Sequence, residues 1–262
     1  MERTLSFEAS TVSVENTPMP TPLDIAVIHD TRRAWPTALC DALRGEEPAQ
    51  NVRIVTDGTA RGPWRGMVAA LATAPSDAQA VLLLEDDAVP CHGFLAAVRA
   101  AAAARPLDAL YFFATKRQTG EAMDAADAAV SSWCLADRPV AALAVWMPAP
   151  MARRFLMWGC DPWHDREFRA EHPLDAEAGD LRLWRWQMRV CGLRPVVSAW
   201  SLAAHGAPAP HQSLAKPRES HEGVRAAYRP VAGLAGEWPD GYAPPDAAAI
   251  DWSRGAGIDA RS

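Results

Sequence analysis

Three consecutive carboxylates, Glu85-Asp86-Asp87, follow directly on four aliphatic residues, Val81-Leu82-Leu83-Leu84. Left unpaired in a core, these charges would cost several kcal/mol. At the end of a strand they can instead face a cleft. Hard cations such as Mg²⁺ and Mn²⁺ take oxygen ligands, and bind through one or two carboxylates together with substrate phosphates. A cation held there can stabilise a departing diphosphate. The plainer alternative is a solvated turn, or a carboxylate placed before a helix, where Asp87 would be favourable in any case.

These side chains can act together only if the surrounding elements bring them to one edge. Residues 23–29 read as a buried strand and 33–43 as a helix, with Trp35, Leu39 and Leu43 on one face and Pro36 in the first turn. A second strand spans 51–55, a helix 63–74, a third strand 79–84, an Ala-rich helix 93–104 and a fourth strand 108–113. Alternating strands and helices predict an α/β fold, a mostly parallel Rossmann-like sheet flanked by helices. Such sheets bind ligands beyond the carboxyl ends of their strands. His29-Asp30, Thr56-Asp57 and Glu85-Asp86-Asp87 all fall at those ends.

The second half is more mixed. Residues 116–129 read as a loop, 131–134 and 140–146 as strands, and 151–158 as a short helix. Residues 180–191 read as an amphipathic helix burying Leu181, Trp184, Met188 and Cys191, and 194–199 as a last strand. The expected organisation is a flexible arm over 1–20, one domain over 21–214 and an irregular tail over 215–262. The domain divides at about residue 115 into a regular first half and a mixed second half.

Composition narrows the classes. A formal net charge of -6 argues mildly against non-specific nucleic-acid binding, which usually needs a basic face. Five cysteines without a CxxC pair suggest reduced thiols, not a disulfide framework or a zinc site. There is no signal-peptide core and no apolar run near the ~20 residues of a membrane span, so a soluble cytoplasmic protein is expected. Neither a Walker A run nor a GxGxxG fingerprint is present.

Glu85-Asp86-Asp87, with the aliphatic strand before it and Ala88-Val89-Pro90 and a helix carrying Phe94 after it, resembles the "LEDD" segment of GT-A glycosyltransferases. That segment serves as their DxD motif. Family 25, the lipopolysaccharide-type transferases, is most similar, with family 2 next. The likeness extends through the order and spacing of elements over 23–214. It implies a GT-A-like fold with a nucleotide-sugar half over about 21–115 and an acceptor half over about 116–214. It also implies a nucleoside-diphosphate sugar donor (UDP-sugar favoured), Mn²⁺ or Mg²⁺, and transfer to an acceptor hydroxyl with inversion.

The resemblance also implies roles. Asp87 would ligate the metal, Glu85 would hold the ribose or a metal-bound water, and Asp86 would assist. Asp57 would contact the nucleobase, with Arg61 and Arg65 near the base or diphosphate, and His29, Thr31 and Arg32 as further donor contacts. Late in the chain, His205-Gly206 and His211-Gln212-Ser213-Leu214 resemble the families' "H…SL" segment, which makes His205 a second metal ligand and His211 its alternative. Asp180 is the candidate general base, with Glu177 beside it. Trp133 and Trp163 are candidate acceptor-stacking residues. The acceptor is a saccharide, a protein or a hydroxymethylated base in phage-type DNA. The last would use Arg153 and Arg154, then Arg182, Arg185 and Arg189, then Lys216 and Arg218 against phosphates. A non-catalytic nucleotide-binding protein, a nucleotidyltransferase and a metal-dependent phosphate hydrolase are the rival classes.

Overall fold

Contiguous aliphatic runs, apolar on both faces, form the centre of a sheet because both faces are covered. The computed structural model describes residues 23–31, 33–47, 52–56, 62–206 and 226–261. In it β1 (Leu23–His29) lies between β2 (Val52–Thr56) and β3 (Ala80–Glu85), parallel to both. Beyond β3 come β7 (Ala144–Pro148), β5 (Leu110–Tyr111), β8 (Val196–Ser198) and β6 (Trp133–Leu135), giving the order β2-β1-β3-β7-β5-β8-β6. Among the described residues, β7 and β6 run antiparallel to their neighbours and the other five strands share one direction. A second, two-stranded sheet pairs β4 (Ala88–Pro90) with β9 (Ala203–His205). The fold is therefore α/β and Rossmann-like, with a mixed second half.

Alternate residues of each central strand serve opposite cores. Ile25, Val27, Leu82 and Leu84 meet α1 (Thr37–Glu46) and α3 (Phe94–Ala104). Ala26, Val81 and Leu83 belong to a second core shared with α2 (Pro63–Ala72), α4 (Lys116–Ala128), α5 (Ala149–Cys160) and α7 (Gly179–Arg185). Asp24 interrupts the apolar run of β1 and is buried, so it needs a cationic partner. Arg53 of β2 donates Nε to its Oδ1 at 2.6 Å. Gly66 lets α2 approach the end of β1, where a Cβ would collide with the Ile28 side chain. Glu46 at the end of α1 accepts from the backbone N–H groups of Phe94 and Leu95 at 3.0 and 2.7 Å. That caps the helix following the acidic segment.

Several expectations are corrected. Residues 116–128 form a helix, not a loop: Thr119, Gly120, Met123 and Ala126 make a narrow buried stripe on a polar sequence. A further helix, α6 (Pro162–Glu171), buries Phe168 alone and starts at Asp161, whose carboxylate accepts from the backbone N–H groups of Trp163 and His164. The predicted helix 180–191 is α7 followed by a π-helical stretch, Trp186–Cys191, that stops at left-handed Gly192. Its buried residues are Arg182, Leu183, Arg185, Trp186 and Gln187, while Leu181, Trp184, Met188 and Cys191 are only half-buried. Trp35 precedes α1 and is 58 % exposed, so it does not share a buried face with Leu39 and Leu43. Residues 226–261 have little regular structure, yet Val231, Leu234 and Trp252 pack into the α1–α3 core. Among the described residues, no helix is long and apolar enough to cross a membrane.

Candidate functional site

The register of the central strands sets the site. Ile28 stands opposite Glu85, and His29 opposite Thr56, at the shared carboxyl end of β1, β2 and β3. Past that end the chain is tied on both sides. Glu85 donates its N–H to Leu143 O and Asp86 its N–H to Ile28 O, both at 3.0 Å.

The three carboxylates then diverge in use. Asp86 turns inward, with its side chain only 3 % exposed. One of its oxygens accepts from the Asp30 N–H at 2.8 Å and lies 2.8 Å from His29 Nδ1, while the other accepts from Arg33. His29 and Asp86, expected among the donor contacts, are both buried, and they tie the end of β1 to the end of β3. Asp87, 9 % exposed, shares Arg33 with Asp86. Its Oδ2 lies 3.1 Å from Arg33 and 3.3 Å from His205 Nδ1. The β4–β9 ladder makes that approach possible, because it sets Ala88 opposite His205 and lets Gly206 donate its N–H to Asp87 O at 2.7 Å. Phe113, just after β5, fixes the imidazole edge-on at 4.9 Å.

His205 Nδ1 is buried and makes no hydrogen bond, although it lies within ion-pair distance of Asp87. Two ligand atoms at right angles on a cation with bonds of about 2.1 Å are about 3 Å apart. The pair therefore fits two positions of a divalent cation. Among the described residues no group of three or more His, Cys, Asp or Glu forms a complete metal site. Water and substrate oxygens would have to supply the remaining ligands, the usual arrangement for cations that bind with phosphates.

The local field is strongly acidic. Burial, then the Asp87 charge, pushes the Glu85 carboxyl up to about 7, with Asp180 adding to the rise and His205 and Arg33 opposing it. Burial would lower the Arg33 guanidinium, but Asp87, Asp86 and Glu85 together raise it. Asp180, at the start of α7, is raised by burial despite accepting from the Leu181 N–H at 2.8 Å. Its charge reaches Glu85 and also Tyr111, whose hydroxyl, raised chiefly by burial, donates to Gln187 Oε1 at 2.6 Å. Asp180 thus belongs to the same electrostatic cluster as the strand-end carboxylates.

Other expected residues fall elsewhere. Glu177 pairs with Arg169 at 2.7 Å, lies 3.9 Å from Arg65, and accepts the Trp64 N–H on its carbonyl at 3.0 Å. It docks the loop before α7 onto α2. Arg65 is half exposed beside it. Thr31 is exposed in the turn after β1. Trp133 is fully buried and donates its indole N–H to Trp252 O at 3.0 Å, so it serves the core, not an acceptor surface. Trp163 is 67 % exposed on the first turn of α6. Arg32, Asp57, Arg61, His211, Lys216 and Arg218 lie outside the described residues.

Two arginines invoked for DNA contact are internal. Arg182 is fully buried between Trp64 and Phe168 and pairs with Asp165 at 2.7 Å. Arg185 is buried against Glu167 and Glu171. Arg189 is exposed and pairs with Glu171, and Arg153 and Arg154 are exposed. Two site residues escaped the sequence reading. The sequence reads Arg33 as the start of a helix and Trp35 as part of a buried helix face, whereas Arg33 lies on the carboxylates and Trp35 is exposed and edge-on to His29 at 5.1 Å. Their position directly after the first strand is the signal that would have found them.

A scan against protein-family models and a search of curated proteins found no match to this chain.

Proposed function

We propose that this chain is a metal-dependent glycosyltransferase that moves a sugar from a nucleoside-diphosphate sugar, by preference a UDP-sugar, to an acceptor hydroxyl with inversion. The observation that carries the reading is the approach of Asp87 Oδ2 and His205 Nδ1, 3.3 Å apart, from β3 and β9 at the carboxyl end of the sheet. The resemblance to families 25 and 2 names both as metal ligands, and their approach supports that reading. A divalent cation bound there, Mn²⁺ or Mg²⁺, would supply positive charge to the departing diphosphate. Asp180 would take the proton of the acceptor hydroxyl as its oxygen bonds to the anomeric carbon and the bond to the diphosphate breaks. Its inclusion in the Glu85 cluster supports that role. Glu85 would hold the donor ribose or a metal-bound water.

The acceptor is a hydroxyl-bearing molecule, a saccharide in the first instance. A DNA acceptor loses support because Arg182 and Arg185 are buried and paired. The decisive test is Asp87→Ala, assayed with Mn²⁺ and a panel of nucleoside-diphosphate sugars. Metal-dependent donor binding and release of the nucleoside diphosphate should both disappear. A folded variant that binds donor and metal as the parent does would refute the reading. Release of a monophosphate or of pyrophosphate by the parent would favour a hydrolase or nucleotidyltransferase instead.

A further inference from the structure

We infer that Arg33 is a resident counter-cation of the strand-end carboxylates, and that a divalent cation must take Asp87 from it in order to bind. The inference rests on the metal-dependent reading above and adds a regulatory element to the same site. One guanidinium nitrogen of Arg33 serves both Asp86 Oδ1 and Asp87 Oδ2, the latter at 3.1 Å. The side chains of all three are largely shielded, at 17 %, 3 % and 9 % exposed. Asp87 Oδ2 is also the atom that His205 Nδ1 approaches. A cation shared by Asp87 and His205 therefore competes with Arg33 for one oxygen, and two positive charges this close in a shielded site repel each other.

The two Arg33 contacts differ in what their loss would leave behind. Asp86 keeps His29 Nδ1 and the Asp30 N–H, each at 2.8 Å. Asp87 exchanges one cation for another. The Asp87 contact is thus the one that yields, while Arg33 stays anchored on Asp86. In the metal-free protein Arg33 limits the repulsion among Glu85, Asp86 and Asp87. The same contact weakens binding of a free cation, so the site favours cations that arrive with the negative charge of a diphosphate.

The test is calorimetric titration of Mn²⁺ alone, without nucleotide, into the parent chain, Arg33→Met and Arg33→Lys, with folding checked by circular dichroism. Arg33→Met should bind Mn²⁺ about tenfold or more tightly than the parent. Arg33→Lys, which keeps the charge, should stay within about threefold of the parent. A parent that binds Mn²⁺ beside a folded Arg33→Met that binds it no more tightly overturns the inference and leaves the metal-dependent reading standing. Failure of Arg33→Met as well as the parent to bind Mn²⁺ alone overturns the inference. Titration with Mn²⁺ and a nucleoside diphosphate together then decides the metal-dependent reading: no metal-dependent binding overturns that too. Should Arg33→Met not fold, Mg²⁺ titration of the parent labelled with ¹⁵N-arginine asks the same question. The Arg33 side-chain signals should shift and exchange faster on saturation, and unchanged signals in a saturated protein would overturn the inference.

Discussion

Asp180 carries a carboxylate whose proton is held more tightly than that of an ordinary aspartate, because burial opposes the charge more than the Leu181 N–H supports it. A general base works only when deprotonated, so a raised pKa moves the acid limb of the rate profile upward. For the proposed transfer, kcat/KM should fall as pH drops through a value above the ~4 of a free aspartate. Asp180→Asn should lower kcat at least about a hundredfold. Donor affinity, measured by titration without acceptor, should hardly change. Loss of donor binding in step with kcat would place Asp180 in the donor site and remove it as the base. At this scale the sequence displays residue type and local order and nothing more. The carboxylate run could be read because its three members are adjacent. The commitment of Asp86 to His29 and Arg33, 57 and 53 positions away, could not, because it depends on how β1 and β3 align.

Between elements, the α6–α7 contact runs against the usual rule that charged residues face water. Arg182 is fully buried, with Asp165 of α6 as its carboxylate partner at 2.7 Å and Ala176 O as a second acceptor. Removing the carboxylate would strand a buried cation. Asp165→Asn should cost about 2 kcal/mol, less than for a fully buried pair because the Asp165 side chain is 29 % exposed. Burial acts to raise the Asp165 pKa, but hydrogen bonds from Arg169 and Arg182 and their charges outweigh it, so the folded value lies below 3.8. The folded state therefore releases this proton more readily than the unfolded chain does. Its stabilisation is complete above about pH 4 and is lost as pH falls through the folded value. Urea midpoints of the parent should drop in that acid range by more than those of Asp165→Asn. Parallel curves would show that the pair contributes nothing. This contact also explains the buried face of α7: periodicity puts Leu181 and Trp184 in the core, and ion pairing brings Arg182 and Arg185 in while Leu181 and Trp184 stay half-buried. Elements with strong apolar runs, β1 to β3 with α2 and α3, were legible. The helix α4, with its thin buried stripe, and the three-residue strands β4 and β9, which exist only through pairing, were not.

Over the whole molecule, residues 226–261 decide whether the chain closes. Their sequence is rich in Pro and Gly with scattered apolar residues, so no period marks them as part of a core. The structure holds them by side chains and by backbone caps from distant elements. Arg105, at the end of α3, donates to Ala256 O and Ile258 O at 2.7 and 2.9 Å. Ser132 donates its hydroxyl to Asp251 O at 2.7 Å and its N–H to Arg254 O at 3.0 Å. Between these anchors the Trp252 ring lies 5.2 Å from that of Trp133 and 6.4 Å from that of Phe112, in the same core cluster. Phe112 also carries the backbone toward Phe113, which positions His205. A tail packed this way is part of the same cooperative unit as the sheet, and damage to it should spread to the site. Trp252→Ala removes a buried aromatic side chain and should cost about 4 kcal/mol. For a chain of this size that corresponds to a fall in Tm of about 10 °C. Differential scanning calorimetry should show one transition, shifted as a whole. A separate low-temperature transition, or a shift under about 2 °C, would show that the tail melts independently and that the sheet closes without it.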